Sequence, residues 1–451
     1  MIKIGLEIHA YLNTKEKLFC NCKAEHGLKF SKPNTNICPI CTGQPGAKPM
    51  LPNSEAIKKV IQIALILGCK INTKLIWQRK HYDWADSPKG YQNTISGPYA
   101  TENAVKGKFS GIKITECHLE EDPAAWNPKT GEIDYNRSGS PLIEIVTDPD
   151  FTSIDQVTIW LKELITTLNY IKAIDKKSGI KADVNISLPP GKRVEIKNIN
   201  SLQNIKSALE YEIQRQKKDP VKEQHTRMFD SEKRITKLMR TKENAEDYRF
   251  ISDPDLPTIN IKQKQIDKFK NNIPKIPSEK LKELIKIHKI EKKYAEILIK
   301  NIDLVEFSEK VLKEIKPKIA LPWITVKLLG ALNYNKKFFD ETDITAEHFI
   351  ELLKLIENKS LTELKAQEIM WKFIPKSFSP KKQAEKNKKI SSEEDLIDLA
   401  KKVIKEFPKA VEDYKSGKIW SINFMVGQIM KLTNKRADFK VAKKLFEDLL
   451  R

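Results

Sequence analysis

The chain has 451 residues, with 81 Lys and Arg against 60 Asp and Glu, a formal net charge of +21 and a pI near 9.4. That length allows two to four domains, each burying its own core, and that charge points to a polyanionic partner, of which nucleic acid is the usual one. Met1–Ala10 lacks the apolar stretch of a secretory signal and the longest apolar run, around Val60–Leu67, is too short to cross a bilayer, so neither secretion nor a membrane span is expected, and six cysteines with four in one metal-like cluster suggest the reducing cytoplasm.

The chain opens on an alternating strand. In Met1–His9 (MIKIGLEIH), Ile2, Ile4, Leu6 and Ile8 share one face, and Lys3, Gly5, Glu7 and His9 the other. Cys20 and Cys22 come next, then, after 15 intervening residues, Cys38 and Cys41. Two thiolate pairs at this spacing can converge on the tetrahedral sulfur coordination that zinc prefers. Four thiolates leave no open position for water, so such a metal braces a loop. Reduced, buried cysteines or a disulfide pair are the alternative. The turn-rich run Thr42–Gly46 lets the chain fold back. An amphipathic helix begins near Asn53 or Ser54, with Ile57, Val60, Ile61, Ala64 and Leu65 facing inward.

The stretch RKHYDW and DSPKGYQ, from Arg79 to Gln92, reads as an ordered loop between strands. Further strands are expected over Lys113–Glu120, Pro141–Thr147, Asp183–Ser187 and Val194–Lys197, with a helix over Ser153–Ile171. Strands neighbour one another more often than helices separate them, which is an α+β pattern. The prolines of Ile273–Ser278 break it, with Ser278 as the expected N-cap of the next helix. From there to Ile374 apolar residues recur at three- and four-residue spacing, a helical domain. Pro375–Lys389 is charged and poor in large apolar residues, the composition of a flexible linker. Ser391 and Glu394 form a capping-box pattern that opens a last helical module running to Arg451. There is no internal repeat.

The chemistry-bearing residues sit on the strands. Glu7 and His9 share a face of the first, and Glu116, His118 and Glu120 a face of another, with Glu121 and Asp122 directly after. Glu144 stands with Leu142 and Val146, where an ionised carboxylate is out of place. Carboxylates pointing inward from several strands repel unless a cation sits among them, and hard divalent ions such as magnesium take oxygen ligands together with nucleotide phosphates. The alternative is a set of solvated strand faces. Neither G-x-x-x-x-G-K-[ST] nor G-x-G-x-x-G occurs. Nucleotide phosphates would then need metal ions and basic side chains, for which Arg79, Lys80, Lys89, Arg137, Lys197, Arg240 and Arg249 are candidates, each of which also reads as a solvated charge. No serine-nucleophile elbow or amidase signature is present. His26 and His225 have no evident partner.

Taken in order, GLEIHAYLNTKEKLFCNC, PNTNICPICTGQPGAKP, RKHYDWADSPKGYQ, HLEED, NRSGSPLIEIVTDPD, DVNIS, EIKNINS, TRMFD, MRTKENAEDYRF and DPDLP resemble the B subunit of the aspartyl/glutamyl-tRNA amidotransferase family, and PKAVEDYKSGK with FMVGQIMKLTNKRAD resembles that family's tail domain, shared with YqeY-like proteins. The resemblance spans nearly the whole chain. It implies an α+β fold: a mostly antiparallel, glutamine-synthetase-like catalytic cradle over 1–276 with a zinc insertion at about 20–41, a helical domain over 277–375, a linker at 376–389 and a YqeY-like tRNA-binding tail over 390–451. It implies ATP-dependent phosphorylation of the side-chain carboxylate of Glu-tRNA(Gln) or Asp-tRNA(Asn), then amidation by ammonia from a glutaminase subunit. Implied partners are the amidase (A) subunit, a small C subunit, the mischarged tRNA and its non-discriminating synthetase, without a membrane. In the cofactor set, Cys20, Cys22, Cys38 and Cys41 match the zinc site and Glu7, His9, Glu120 and Glu144 the magnesium-binding, catalytic set, with ATP as co-substrate near Arg79, Lys80 and Lys89. Three departures stand out: Pro123-Ala124-Ala125 where Ala-Gly-Lys is usual, Trp84-Ala85-Asp86-Ser87 where Tyr-Pro-Asp-Leu is commoner, and His225 where Glu is expected before Thr226. The rival from another class is a non-catalytic, zinc-bearing RNA-binding protein. A related archaeal protein, the E subunit of the tRNA(Gln)-specific amidotransferase, carries an inserted synthetase-like domain for which this length leaves no space.

Overall fold

The structure is a computed structural model and describes residues 1–24, 32–241, 248–390 and 392–450. His26, Ser391 with its predicted capping box, and part of the MRTKENAEDYRF motif lie outside the described residues. The chain divides into two compact units, Met1–Pro277 and Ser278–Arg451. No helix among the described residues is long and apolar enough to cross a membrane.

In the first unit the strands are β1 (Lys3–Tyr11), β2 (Lys70–Ile71), β3 (Lys74–Leu75), β4 (Gln78–His81), β5 (Tyr91–Thr94), β6 (Ala104–Phe109), β7 (Ile112–Glu121), β8 (Ala125–Trp126), β9 (Ile133–Asp134), β10 (Pro141–Thr147), β11 (Ile180–Ser187), β12 (Val194–Ile199), β13 (His225–Asp230), β14 (Ile235–Arg240), β15 (Ile251–Ser252) and β16 (Ile259–Asn260). The principal helices are α1 (Ser54–Ile66), α2 (Ile154–Tyr170) and α3 (Leu202–Lys218). Among the described residues one 12-stranded sheet follows the path β14-β13-β12-β11-β1-β10-β7-β5-β4-β15, with β6 beside β7 and β2 beside β6. Its pairings are antiparallel except β12 with β13, which run parallel because α3 carries the chain back between them.

Alternation decides what each face carries. On β1 the side chains of Ile4, Leu6, Ile8 and Ala10 are buried, whereas Glu7 and His9 are half-buried on the opposite face. The apolar face packs on Val60, Ile61 and Ala64 of α1, Leu161, Leu164 and Leu168 of α2, and Ile205, Ala208 and Leu209 of α3 in one core. The helices begin where side chains can accept from their free N–H groups. Asn53 accepts from Glu55 and Ala56, Ser153 from Gln156, and Ser201 from Asn204. With one face covered by helices, the polar side chains of the central strands are left to line a cavity on the other.

The second unit is helical. Its middle contains a π-helical turn, Trp323–Leu328, directly after Pro322, which has no N–H for the regular ladder. The predicted N-cap Ser278 lies inside the first turn of a helix that starts at Pro277 (Pro277–Lys286), since proline suits the first helical position. Pro375–Lys389, expected as a flexible linker, instead holds a helix, Lys381–Lys386, whose Ala384 is buried. Ser379 and Lys381 both reach Glu351, and Thr345 N–H donates to Ser377. The lysines that made this stretch look unfolded are its solvent face. Beyond it, the helices Glu393–Glu406, Pro408–Lys415, Ser421–Leu432 and Phe439–Leu449 close around Leu396, Val403, Met425, Ile429 and Phe446.

Candidate functional site

Cross-strand register assembles the cavity floor. On neighbouring strands His9 of β1 lies opposite Glu144 of β10, and Glu144 opposite His118 of β7. Thr94 of β5 and Leu142 of β10 both lie opposite Glu120. On the other side of β1, Glu7 lies opposite Asp183 of β11, and Asn185 opposite Glu195 of β12. Because residues directly opposite on one face stand about 5 Å apart, neighbouring strands deliver their carboxylates to one place. The cavity, about 470 Å³, is lined by Glu7, His9, Glu120, Glu144 and Asp183 together with Lys80, Arg137 and Lys197.

The floor resolves into two clusters. The candidate ligand atoms of His9, Glu120 and Glu144 lie within 4.8 Å of one another, and so do those of Glu7, Asp183 and Glu195. Glu7, expected in one set with the first three, therefore belongs to a second. Asp183 and Glu195 were missed in the sequence, although the signal that singled out Glu144, a carboxylate inside an apolar alternation, is present in DVNIS and VEI. Both clusters have a donor chemistry that suits a hard divalent cation, the first with one imidazole and the second all oxygen. In the second, the Lys197 ammonium reaches both Asp183 (3.0 Å) and Glu195, the position of a cation among carboxylates.

The electrostatics follow from crowding. Glu7 is pushed above the usual carboxylate range by burial and then by Glu144. Burial alone would lower His9, but Glu144 and the contact between its Nδ1 and Glu120 Oε1 (3.2 Å) outweigh it and raise the imidazole to about 9. His118 behaves likewise: burial is opposed by Glu144 (3.1 Å from Nε2) and Glu116 (3.0 Å from Nδ1), and its pKa rises to about 10. Glu144 itself is held well below its ordinary value, against its burial, by His9 and His118. Ser96 donates to Glu116 at 2.7 Å, completing a chain that fixes how Glu144 points.

The expected nucleotide contacts separate. Lys80 lines the cavity with its ammonium 4.5 Å over the Tyr248 ring. Arg79 is not among the described residues lining it; its guanidinium binds Asp253 (2.7 Å) and Asp255 (2.6 Å) and lies over Tyr91. Lys89 is paired with Glu121 and donates to Asn93 at 2.9 Å. Arg137 lines the cavity and grips the buried Asp122 through two bonds of 2.6 and 2.8 Å. Arg240 lies on β14 at the sheet's end, and Arg249 faces Asp83 at 3.3 Å. His225 opens β13 opposite Val194, with its Nδ1 buried and unpartnered.

The four cysteines come together in a separate knuckle. Their sulfurs lie within 4.8 Å of one another, all four thiols are free, and Cys38 and Cys41 Sγ are 3.8 Å apart. A tetrahedron with metal–sulfur bonds of about 2.3 Å has edges of about 3.8 Å, so the set fits zinc and is too open for a disulfide. The backbone also favours a thiolate here, since the N–H of Cys38 points at Cys41 Sγ (3.2 Å). The thiol of Cys41 is held low, at about 4, chiefly by Cys20, whose own thiol is pushed up by that same hydrogen bond and by burial. Sequence reading overlooked Lys17. It is 1 % exposed, donates to the carbonyls of Asn36 (3.0 Å) and Tyr135 (3.2 Å), and helps hold Cys41 low.

Fold and site together define an α+β unit whose mostly antiparallel sheet carries an acidic, cation-competent cavity and a cysteine knuckle, with a helical unit after it in the chain. The family pattern described as the GatB/GatE catalytic domain matches residues 2–267, and that described as the GatB domain matches residues 306–450. Three similar proteins are each named as the B subunit of an aspartyl/glutamyl-tRNA(Asn/Gln) amidotransferase. That of Methanocaldococcus jannaschii is 41% identical, covering 100% of this chain and 98% of its own length. That of Methanopyrus kandleri is 39% identical with the same coverage, and that of Methanothermobacter thermautotrophicus 42% identical over 97% of each. The chain belongs to the family of aspartyl/glutamyl-tRNA(Asn/Gln) amidotransferase B subunits.

Proposed function

We propose that the cavity binds ATP and the aminoacyl end of mischarged Glu-tRNA(Gln) or Asp-tRNA(Asn), and that it activates the side-chain carboxylate for amidation. The observation that carries this reading is that two cation-competent clusters meet at one cavity, which His9, Glu120, Glu144, Glu7 and Asp183 line, with Glu195 beside the last two. A carboxylate is a poor acceptor for ammonia because oxide would have to leave. Attack of a carboxylate oxygen on the γ-phosphorus expels ADP and gives an acyl phosphate; ammonia then adds to the carbonyl carbon and inorganic phosphate departs.

His9, Glu120 and Glu144 would hold one magnesium and Glu7, Asp183 and Glu195 a second. Such ions, when bound, offset phosphate charge and align the transferring group. Among the chain's own groups, Lys80 and Lys197 bring positive charge to the phosphates. Arg137, fixed on Asp122 by two of its five N–H groups, has the rest of its fork to orient a substrate anion. His118 sets the direction of Glu144. Ammonia comes from an amidase partner, the A subunit, and a small C subunit completes a cytoplasmic complex; that the relatives are named as one lettered component of an amidotransferase supports such an assembly. The cysteine knuckle holds a structural zinc.

The test is substitution within the complex. Glu144→Gln and Asp183→Asn should each lower amidation at least about 100-fold while glutamine hydrolysis by the amidase persists. Near wild-type amidation by Glu144→Gln would show the assignment to be wrong.

A further inference from the structure

Two indoles at the cavity have no part in the chemistry above. Trp126 lines the cavity yet is 38 % exposed, and Trp84 beside it is 59 % exposed. Their ring centroids are 6.2 Å apart with planes at 67°, an edge-to-face pair. A tryptophan carries a large apolar payload, and two left side by side in water are the kind of exposed patch that marks a binding surface. The pair is also held in place. Trp126 lies on β8, opposite Ile133 of β9. Trp84 stands in the loop between β4 and β5, where its carbonyl accepts from Ser87 N–H at 3.0 Å. A backbone bond from Ala124 N–H to the Asp86 carbonyl (2.8 Å) fastens the two segments together. Asp86 lines the same cavity, with its carboxylate Oδ1 buried and without a hydrogen-bond partner.

The acceptor that the proposed function requires has matching parts. Its side-chain carboxylate must lie at the cation-competent floor, beside Lys80 and Lys197, and its ester joins the amino acid to the ribose of a terminal adenosine. A flat base, a free α-ammonium and a carboxylate are thus carried on one short molecule. A cavity of about 470 Å³ is within the range that holds a ligand of that size. Base stacking on aromatic side chains tolerates any base and suits a 3′ end common to all tRNAs.

Resting on that function, we propose that Trp84 and Trp126 form the subsite that stacks the terminal adenine of the aminoacyl-tRNA, with Asp86 receiving the α-ammonium. The occupant is the nucleic-acid end, not a protein surface, because the indole of Trp126 is continuous with the polar cavity.

The test uses the assembled complex with ATP, an ammonium salt as nitrogen donor and mischarged Glu-tRNA(Gln). Trp126→Ala and Trp84→Ala should each raise KM for the tRNA about tenfold with kcat within about twofold, and Trp126→Phe should restore most of the loss. A non-hydrolysable 3′-glutamylamido-adenosine, lacking the tRNA body, should quench wild-type tryptophan fluorescence, and the quench should vanish in Trp126→Ala. Asp86→Asn should narrow the preference for Glu-tRNA(Gln) over its N-acetylated form. An unchanged KM in both alanine variants of a complex that amidates normally overturns the subsite and leaves the proposed function standing. Loss of the amidase partner from the variant complexes at unchanged KM overturns it in favour of a protein interface. A wild-type complex that amidates no tRNA overturns both.

Discussion

Single residues carry the sharpest consequences. The cysteine knuckle confines four sulfurs that cannot all ionise in one another's company without a cation, since like charges at this distance oppose it. Metal analysis of the purified chain should return close to one zinc, and chelation should expose four additional reactive thiols. A folded protein that never retains zinc would contradict this. Lys17 sits beside those sulfurs as a buried ammonium, so it balances the negative charge that four thiolates leave on a divalent ion. Lys17→Met should weaken zinc retention against a competing chelator about 10–100-fold, while Lys17→Arg loses less. Equal retention in Lys17→Met would reduce Lys17 to a tie between the Asn36 and Tyr135 carbonyls. In the cavity, His118→Ala removes the group that turns Glu144. Its effect should fall on kcat more than on the KM for tRNA, and a change confined to KM would argue against a positioning role.

At the scale of elements, the join between α3 and β14 rests on one buried carboxylate. Glu212 accepts from Arg215 (2.5 Å), Gln216 (2.9 Å) and Thr236 (2.8 Å) with no exposure to solvent. Burial pushes its pKa up, but those hydrogen bonds outweigh it and hold the group below its ordinary range. A depressed folded-state pKa means stability that is fully present above the unfolded value, near 4.3, and is lost as pH falls through the folded one. Glu212→Gln should therefore cost about 2 kcal/mol at neutral pH and blunt the acid limb of the unfolding curve. An acid limb identical to wild type would assign that limb to other carboxylates.

The same scale shows what the sequence could reveal. Pro141–Thr147 was legible to the residue, and the start of α1 and both ends of α2 to within a residue, because alternation, 3.6-residue periodicity and the Asn53 and Ser153 caps are local signals. β4, β5, β13 and β14 were not, because they are short and polar and exist through pairing with distant strands or with each other. The site divides in the same way. Carboxylates on an apolar strand were visible, but Glu7 was grouped with Glu144, since only register reveals that its opposite number is Asp183. The linker expectation failed because lysine-rich composition does not distinguish an unfolded stretch from the wet face of a packed helix.

For the whole molecule, a basic chain acting on a tRNA should divide its labour between chemistry in the first unit and phosphate contacts in the second. The last four helices form a closed apolar core, so their basic surface can act as one body. Deleting residues 390–451 also breaks the pairs of Lys435 with Glu368 and of Lys389 with Asp438, so folding must be checked alongside. The folded truncation should show a higher KM for mischarged tRNA and a flatter salt dependence, with kcat on saturating substrate little changed. Full tRNA affinity at moderate salt would make the tail an assembly element instead.

If the cavity activates a tRNA-borne carboxylate with ATP, the complex supplied with ATP and mischarged Glu-tRNA(Gln) should release ADP while ammonia and glutamine are withheld. The expected result is a burst of ADP that requires the mischarged tRNA and disappears in Glu144→Gln. ADP release that proceeds equally with uncharged tRNA, or survives unchanged in Glu144→Gln, would contradict it.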